Sequence, residues 1–539
     1  MAEGFTIAIL PKNKGYIVRV ESPLGSKERF LKTDFQNRTY HPALREPRER
    51  LYSTYSVHNP LPEGSIKHFG EELFSTLFTK EMKGLFKKCF RQSIQENSPL
   101  RIILESSSPE VHQIPWEIMY CKEENLFLGS SPYVTFSRSI PDISAAAADP
   151  VTPPMKVLVL VSSPLDFSDE EYEIDAGEVE RFISTPLEEL KSQGWITTWF
   201  TDDTRFDHIR TLLKKEWNII HFVGHGFYDG EKTYILIEDD KRNRFSLPAE
   251  KVCDLFASRK KPNLILFNAC ESAQNPPEIY AGIPFTLLMR GFPAVIAMQY
   301  SVFVEVADTF VKYLYEYLGK TPVDKAVSEA RMVLHQKYGE DTISWFTPVL
   351  YVCGLNPILE FEKGATAHPP EREKSVDFLT DLPRAEMFFG RKKYRIKIEK
   401  AFFEKKKRIV LMTGIGGIGK SSLAREFADR SRRRYKAVFA KKITADFNLK
   451  NFLEEFGEFL SENGDNSFKD MLNYEISTRG KLEYLCRSLD MGRYLIILDG
   501  FEEVMEDMKI KSEDMKTFLE AFINGKHRSG FGTKFMITV

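Results

Sequence analysis

Residues 218–226 read NIIHFVGHG, with Ile219, Ile220, Phe222 and Val223 around His221, and then Gly224, His225 and Gly226. An apolar run of this length, stopped by glycine on either side of a second histidine, reads as a buried strand that delivers His225 into a loop. Residues 263–272, NLILFNACES, have the same construction: the run NLILF ends at Phe267 and Cys270 follows three residues later. Outward from these two stretches the pattern repeats. KVLVLVSS (156–163), ITTWF (196–200) and AVIAMQY (294–300) are further strand-length runs. Between and beyond them lie the helical patterns EVERFISTPLEELKSQG (178–194), FDHIRTLLKKE (206–216), VCDLFAS (252–258) and FTLLMRG (285–291), with two more helices after residue 300. Continuous apolar strands separated by helices predict an α/β unit, a largely parallel sheet with helices on both faces, over residues 155–362.

In such sheets functional side chains gather at the carboxyl ends of strands. A cysteine nucleophile needs a base or cation beside it to hold the thiolate, and the fold can bring a histidine there without adjacency in sequence. Cys270 and His225 are therefore the candidate nucleophile and base, with the Gly226 and Cys270 amides as candidate oxyanion donors. His221, inside its apolar run, reads as a hydrogen-bonded core residue. Asp239, Asp240 and Glu271 read as solvated loop charges.

At 539 residues the chain is long for one core and predicts about three or four structural units. Residues 1–142 read as an α+β region: a hairpin in TIAILPKNKGYIVRVES (6–22), a helical pattern in GEELFSTLFTKEMKGLFKKCF (70–90) and a strand in RIILE (101–105). ISAAAADPVTPP (143–154) reads as a loop, and the polar residues 363–385 read as a linker to a last unit, 386–539.

That last unit contains G-x-x-x-x-G-K-S between an apolar strand and a helix, as Gly414, Ile415, Gly416, Gly417, Ile418, Gly419, Lys420 and Ser421, followed by Ser422. Glycines let backbone amides curl around phosphates, Lys420 reaches the outer phosphate oxygens, and Ser421 is placed to ligate Mg2+. About eighty residues on, RYLIILDGFEEV supplies a strand ending in Asp499, the expected holder of Mg2+ through its water shell, and Glu502, a candidate for positioning a hydrolytic water. The expected cofactor is ATP or ADP with Mg2+ in this unit, and none in the preceding one.

Composition narrows the class. Hydrophobic residues at 42% and charged residues at 28% are globular values. Lys plus Arg total 75 against 77 acidic residues, a net charge of −2, which gives no reason to expect nucleic acid or a membrane as partner. The basic stretch 392–410 reads as the charged face of an amphipathic helix. Six scattered cysteines without C-x-x-C pairs argue against disulfides and zinc, and for a reducing compartment. With no signal peptide and no membrane-length apolar run, a cytoplasmic location is expected.

HFVGHG and LILFNACESA resemble the histidine and cysteine blocks of CHAT domains, relatives of the caspases and separases. The resemblance extends over about 60–360, including Pro115, Trp116 and Glu117 and the tail AVSEARMVL (326–334). It implies a caspase-like cysteine endopeptidase acting on a protein substrate. Where the family often shows a tryptophan and an aspartate after the fifth strand, this chain has Gln299-Tyr300 and Glu305, a change expected in the substrate groove. GIGGIGKSSLA and LIILDGFEEV, with Phe389-Gly390-Arg391 before them, resemble the STAND class of P-loop NTPases, which includes the NB-ARC and NACHT families. Gly500 is NACHT-like and the loop NB-ARC-like, so the sequence stops at the class. Relatives continue past the strand TKFMITV into further domains, so the NTPase unit is expected to be incomplete at its C-terminus, with a sensor region beyond it. Together the resemblances imply a protease effector gated by nucleotide state or self-association, in prokaryotic defence or programmed death. The alternative is a nucleotide-binding scaffold with an inactive caspase-like domain.

Overall fold

In the computed structural model the described residues are 4–33, 60–141, 143, 150–166, 174, 176–229, 232–257, 261–269, 278–300, 304–318, 320–354, 359–362, 364–368, 376–383, 391–404, 407–491, 493–506, 509–511, 513–524 and 533–539. They form two compact units, residues 1–370 and 371–539.

The first unit is built on one sheet. In chain order its strands are β1 (Phe5–Lys12), β2 (Gly15–Ser22), β3 (Gly25–Leu31), β4 (Leu100–Glu105), β5 (Val134–Ser139), β6 (Met155–Val161), β7 (Ile196–Thr201) and β8 (Ile219–Gly224). A separate small sheet follows, of β9 (Gly226–Tyr228), β10 (Thr233–Glu238) and β11 (Arg244–Pro248). β12 (Leu264–Ala269), β13 (Ala294–Met298) and β14 (Pro348–Val352) return to the large sheet. Among the described residues the large sheet has eleven strands, in the order β3-β2-β1-β4-β5-β14-β13-β12-β8-β6-β7. β13, β12, β8, β6 and β7 are mutually parallel; β1, β4, β5 and β14 form a second parallel block, joined to the first by the antiparallel β13–β14 pair.

Period-2 alternation decides which face each side chain covers. Val157, Val159 and Val161 of β6 enter one core, Leu158 and Leu160 the other. Leu264 and Leu266 of β12 likewise part from Ile265 and Phe267. The first core is closed by α1 (Ser65–Leu77), α2 (Lys80–Gln95), α3 (Ala176–Ser192), and two later helices described below. The second is closed by α4 (Phe206–Leu212), α5 (Ala249–Phe256), α6 (Glu278–Met289) and the small sheet. The later helices on the first face are α7 (Val304–Tyr317) and α8 (Val323–Tyr338).

Three details differ from the sequence expectation. Length suggests three or four units where two compact ones stand, because β1–β5 continue the large sheet of β6–β8 and β12–β14 and so join residues 1–142 to those that follow. The pattern over 70–90 is two helices, broken where Thr79 turns extended and its hydroxyl caps the Met82 amide. Residues 376–383, within the expected linker, dock on the second unit: the Phe378 amide donates to the Val438 carbonyl and Asp377 pairs with Arg432.

The second unit has a four-stranded parallel sheet among the described residues, β15 (Ile409–Met412), β16 (Ala437–Lys442), β17 (Tyr494–Asp499) and β18 (Lys534–Thr538), in the order β15-β18-β17-β16. Helices α9 (Lys392–Glu399), α10 (Lys420–Ser431), α11 (Leu449–Glu462), α12 (Thr478–Met491) and α13 (Glu513–Asn524) accompany it. Lys392–Glu399 is the first part of the basic stretch, and Arg395, Ile396 and Ile398 are its buried face. No helix among the described residues is long and apolar enough to cross a membrane.

Candidate active site

β8 and β12 lie side by side and in parallel, with Val223 opposite Asn268 and Gly224 opposite Ala269. Gly224 is the last residue of β8 and Ala269 the last described residue of β12, and the next residue in sequence is His225 after the one and Cys270 after the other. Cys270, Glu271 and Ser272 lie outside the described residues. His225 is 4% exposed and joins the large sheet to the small one, between Gly224 of β8 and Gly226 of β9. Its carbonyl accepts from the Leu236 amide at 2.8 Å. Gly226 pairs with Ile235. Gly224 is needed by contact rather than by dihedral angle: a Cβ there would stand 2.6 Å from the Phe222 ring and 3.1 Å from the Ser162 Cβ.

His221 points to the opposite core, buried, with its Nδ1 hydrogen-bonded to the Tyr315 hydroxyl at 3.2 Å. Burial draws it down to about 3, so it is a neutral core residue, the role its place inside the strand predicts. Asp239 accepts from the Lys241 and Asn243 amides in a turn, and Asp240 is exposed.

Gln299 is buried. Its Oε1 accepts from Arg138 at 2.9 Å and its Nε2 donates to the Gln113 carbonyl at 2.7 Å, both deep in the unit. Arg138 also pairs with Glu117 through two nitrogens and donates to the His112 carbonyl. Arg331, whose Nη2 is 3.7 Å from Glu117, donates to the Pro348 and Phe136 carbonyls. Glu117, Arg138 and Arg331 are all fully buried. The Pro-Trp-Glu segment thus ties β5 to α8 and to the end of β13; no spacing rule connects such distant partners, so the sequence concealed it. Burial holds His112, beside this network, down at about 4. It also pushes the Cys121 thiol up to about 11, Cys253 to about 12 and Cys353 to about 11.

In the second unit the loop between β15 and α10 carries the phosphate-binding residues. Gly417 and Gly419 have φ of 77° and 90°, in the left-handed region that favours glycine. Nothing lies within 4 Å of where a Cβ would stand at Gly416, Gly417 or Gly419, which leaves the backbone open to a close ligand. Lys420 folds its Nζ onto the carbonyls of Gly414, at 2.9 Å, and Ile415, at 3.2 Å. Ser421 donates to Asp499 Oδ1 at 2.8 Å, and Thr538 donates to the same oxygen at 2.6 Å. Ser422 is half-buried as the third residue of α10. Glu502 is exposed on the 3-10 turn after β17. An open glycine cradle, a lysine folded over it and a serine beside a strand-end aspartate fit a nucleoside triphosphate or diphosphate with Mg2+. Arg391 reaches the Ile418 carbonyl at 2.5 Å; Phe389 and Gly390 lie outside the described residues.

Such a sheet, with its paired strand ends, joined in one chain to a P-loop unit, defines a caspase-like α/β domain fused to a nucleotide-binding domain. The CHAT domain matches residues 67–355 and the NB-ARC domain residues 392–519. The chain belongs to the CHAT-domain family, and its second unit is of the NB-ARC kind, the choice that its loop and Gly500 leave open in sequence. Among solved structures it is similar to separase of Saccharomyces cerevisiae in its complex with securin, at 14% identity over 66% of this chain and 30% of that one, with a TM-score of 0.34. It is similar to Porphyromonas gingivalis RgpB in the complex of its pro- and mature domains, at 14% identity, 54% and 71% coverage and a TM-score of 0.32. The Drosophila initiator caspase Dronc matches at 14% identity, 44% and 99% coverage and a TM-score of 0.28. The chain thus spans under a third of the separase chain's length. No curated protein matches the sequence.

Proposed function

We propose that the chain is a cysteine endopeptidase in which Cys270 attacks a peptide carbonyl and His225 serves as its base, under the control of the nucleotide-binding unit. The observation that carries this reading is the parallel pairing of β8 and β12 up to Gly224 and Ala269, the residues that immediately precede His225 and Cys270 in sequence. In the reaction His225 takes the thiol proton and returns it to the leaving amine, while the Gly226 and Cys270 amides receive the developing oxyanion. In the second unit, Lys420 would hold phosphate oxygens of a bound nucleotide in place of its loop carbonyls, and Ser421 and Asp499 would hold Mg2+, with Glu502 placed to orient water. Mg2+ supplies charge neutralisation between the phosphates. The substrate is a protein, self-association accompanies activation, and the setting is a cytoplasmic defence or death response. A comparison of new protein N-termini in activated cells carrying the wild type or Cys270→Ala tests the reading. Cleavages lost in the variant support it; the same cleavages in both leave the scaffold alternative.

A further inference from the structure

His225 stands on the joint between two sheets, so its position depends on how the small sheet docks against the large one. Four buried polar residues make that dock. Ser162 follows β6, its amide donating to the Val223 carbonyl at 2.7 Å, one step beyond the β6–β8 ladder. Its hydroxyl donates across to the Leu236 carbonyl in β10 at 2.8 Å. Leu236 in turn donates its amide to the His225 carbonyl at 2.8 Å. One residue of β10 is therefore held by Ser162 on its carbonyl side and holds the candidate base on its amide side.

The Ser162 hydroxyl is itself aimed. Thr204 Oγ1 donates to it at 3.0 Å, and a hydroxyl oxygen that accepts one bond and gives one has its rotor fixed. Thr204 is fixed by Glu238: its amide donates to Glu238 Oε2 at 3.0 Å and its carbonyl accepts from the Glu238 amide at 3.3 Å. Arg242 neutralises Glu238 at 2.5 Å and also donates to the Asp202 carbonyl at 2.9 Å. The surrounding charges pair among themselves: Arg242 and Arg205 with Asp203, and Arg244 with Asp166. Ser162 and Thr204 are completely buried, and Glu238 is 1% exposed. A hydroxyl pair buried with full partners in this way fixes one geometry, because the alternatives leave polar groups unsatisfied.

We infer that Ser162 and Thr204 are positioning residues for His225, setting through Leu236 where the base stands beside the end of β12. This rests on the proposed dyad. Neither hydroxyl touches substrate or the reacting atoms. A displacement of the base of about 1 Å costs up to about a hundredfold in rate, so loss of either hydroxyl acts on chemistry more than on binding.

The test uses the full chain and iodoacetamide, with alkylation of each cysteine followed by mass spectrometry against pH. Ser162→Ala deletes one hydroxyl, and Thr204→Val deletes the other without changing volume; Thr204→Ser keeps it. The expected result is that Cys270 in the wild type alkylates with a midpoint well below that of an ordinary thiol. Ser162→Ala and Thr204→Val move that midpoint upward and slow alkylation at neutral pH about 10- to 100-fold. Thr204→Ser restores the wild-type profile, and the double variant is no worse than either single one. Melting followed by tryptophan fluorescence separates this from unfolding. A lowered melting temperature with an unmoved Cys270 midpoint assigns the hydroxyls to stability alone and overturns the inference. A Cys270 of ordinary midpoint in the wild type overturns the dyad itself, and this inference with it.

Discussion

Glu117 is the residue on which the unit's deepest charges depend. It neutralises Arg138 by two hydrogen bonds and lies 3.7 Å from Arg331, with all three fully buried. Burial, opposed by the charge of Glu117 and helped by that of Arg138, lowers Arg331 to about 10. Removing one partner of a buried ion pair leaves a charge without compensation, at about 3–5 kcal/mol. Glu117→Gln is therefore expected to lower stability by that amount in urea unfolding, whereas Arg91→Gln, which breaks an exposed pair with Glu124, changes it by under about 1 kcal/mol. Equal effects would show that the network is not a keystone. At this scale the sequence was half legible. His225, His221 and the P-loop residues announce themselves by their place at or inside an apolar run. Glu117, Gln299, Ser162 and Thr204 do not, because their partners lie 21 to 161 positions away along the chain in the bonds that define them.

Elements were read best where one physical rule sufficed. The strands β6, β8, β12 and β13 are continuous apolar runs buried on both faces, and each falls where the run does. The small sheet was missed, although YILIE alternates, because its outer residues Arg244, Phe245 and Ser246 are exposed and weaken the apolar signal. The loop between β15 and α10 was legible whole, since its glycines, lysine and serine are demanded by one ligand chemistry. Its present hydrogen bonds make a prediction. Lys420 satisfies the Gly414 and Ile415 carbonyls and so braces the loop in the absence of phosphate. Lys420→Ala forfeits charge-assisted bonds worth about 1.5–3 kcal/mol, so ATP affinity measured by calorimetry is expected to fall about 10- to 100-fold. Asp499→Asn, by contrast, is expected to remove most of the affinity gained on adding Mg2+ while sparing binding without it. An unchanged affinity in Lys420→Ala would mean that the loop does not hold the phosphates.

At the scale of the molecule, the two units can be followed separately because all five tryptophans, Trp116, Trp195, Trp199, Trp217 and Trp345, belong to the first. Tryptophan fluorescence therefore reports its unfolding alone. Three buried groups there link its stability to pH. His221 and His112 are drawn from 6.5 to about 3 and about 4 by burial, so below pH 6.5 the unfolded chain binds their protons and the folded one does not. Each thus withdraws stability as pH falls, at about 1.4 kcal/mol per unit. Asp308 on α7 acts the other way: burial and the charge of Glu178 raise it from 3.8 to about 7. Its folded form binds the proton first, so between pH 7 and 3.8 it adds stability as pH falls, at the same rate. From about pH 6.5 to 4 the three sum to one proton's worth of loss, about 1.4 kcal/mol per unit. His221→Phe should flatten that slope towards zero, and Asp308→Asn should double it while stabilising the unit above pH 7. The slopes are compared between variants, so groups common to all of them cancel. A His221→Phe unit that loses stability as steeply as the wild type would mean that His221 carries its proton inside the core.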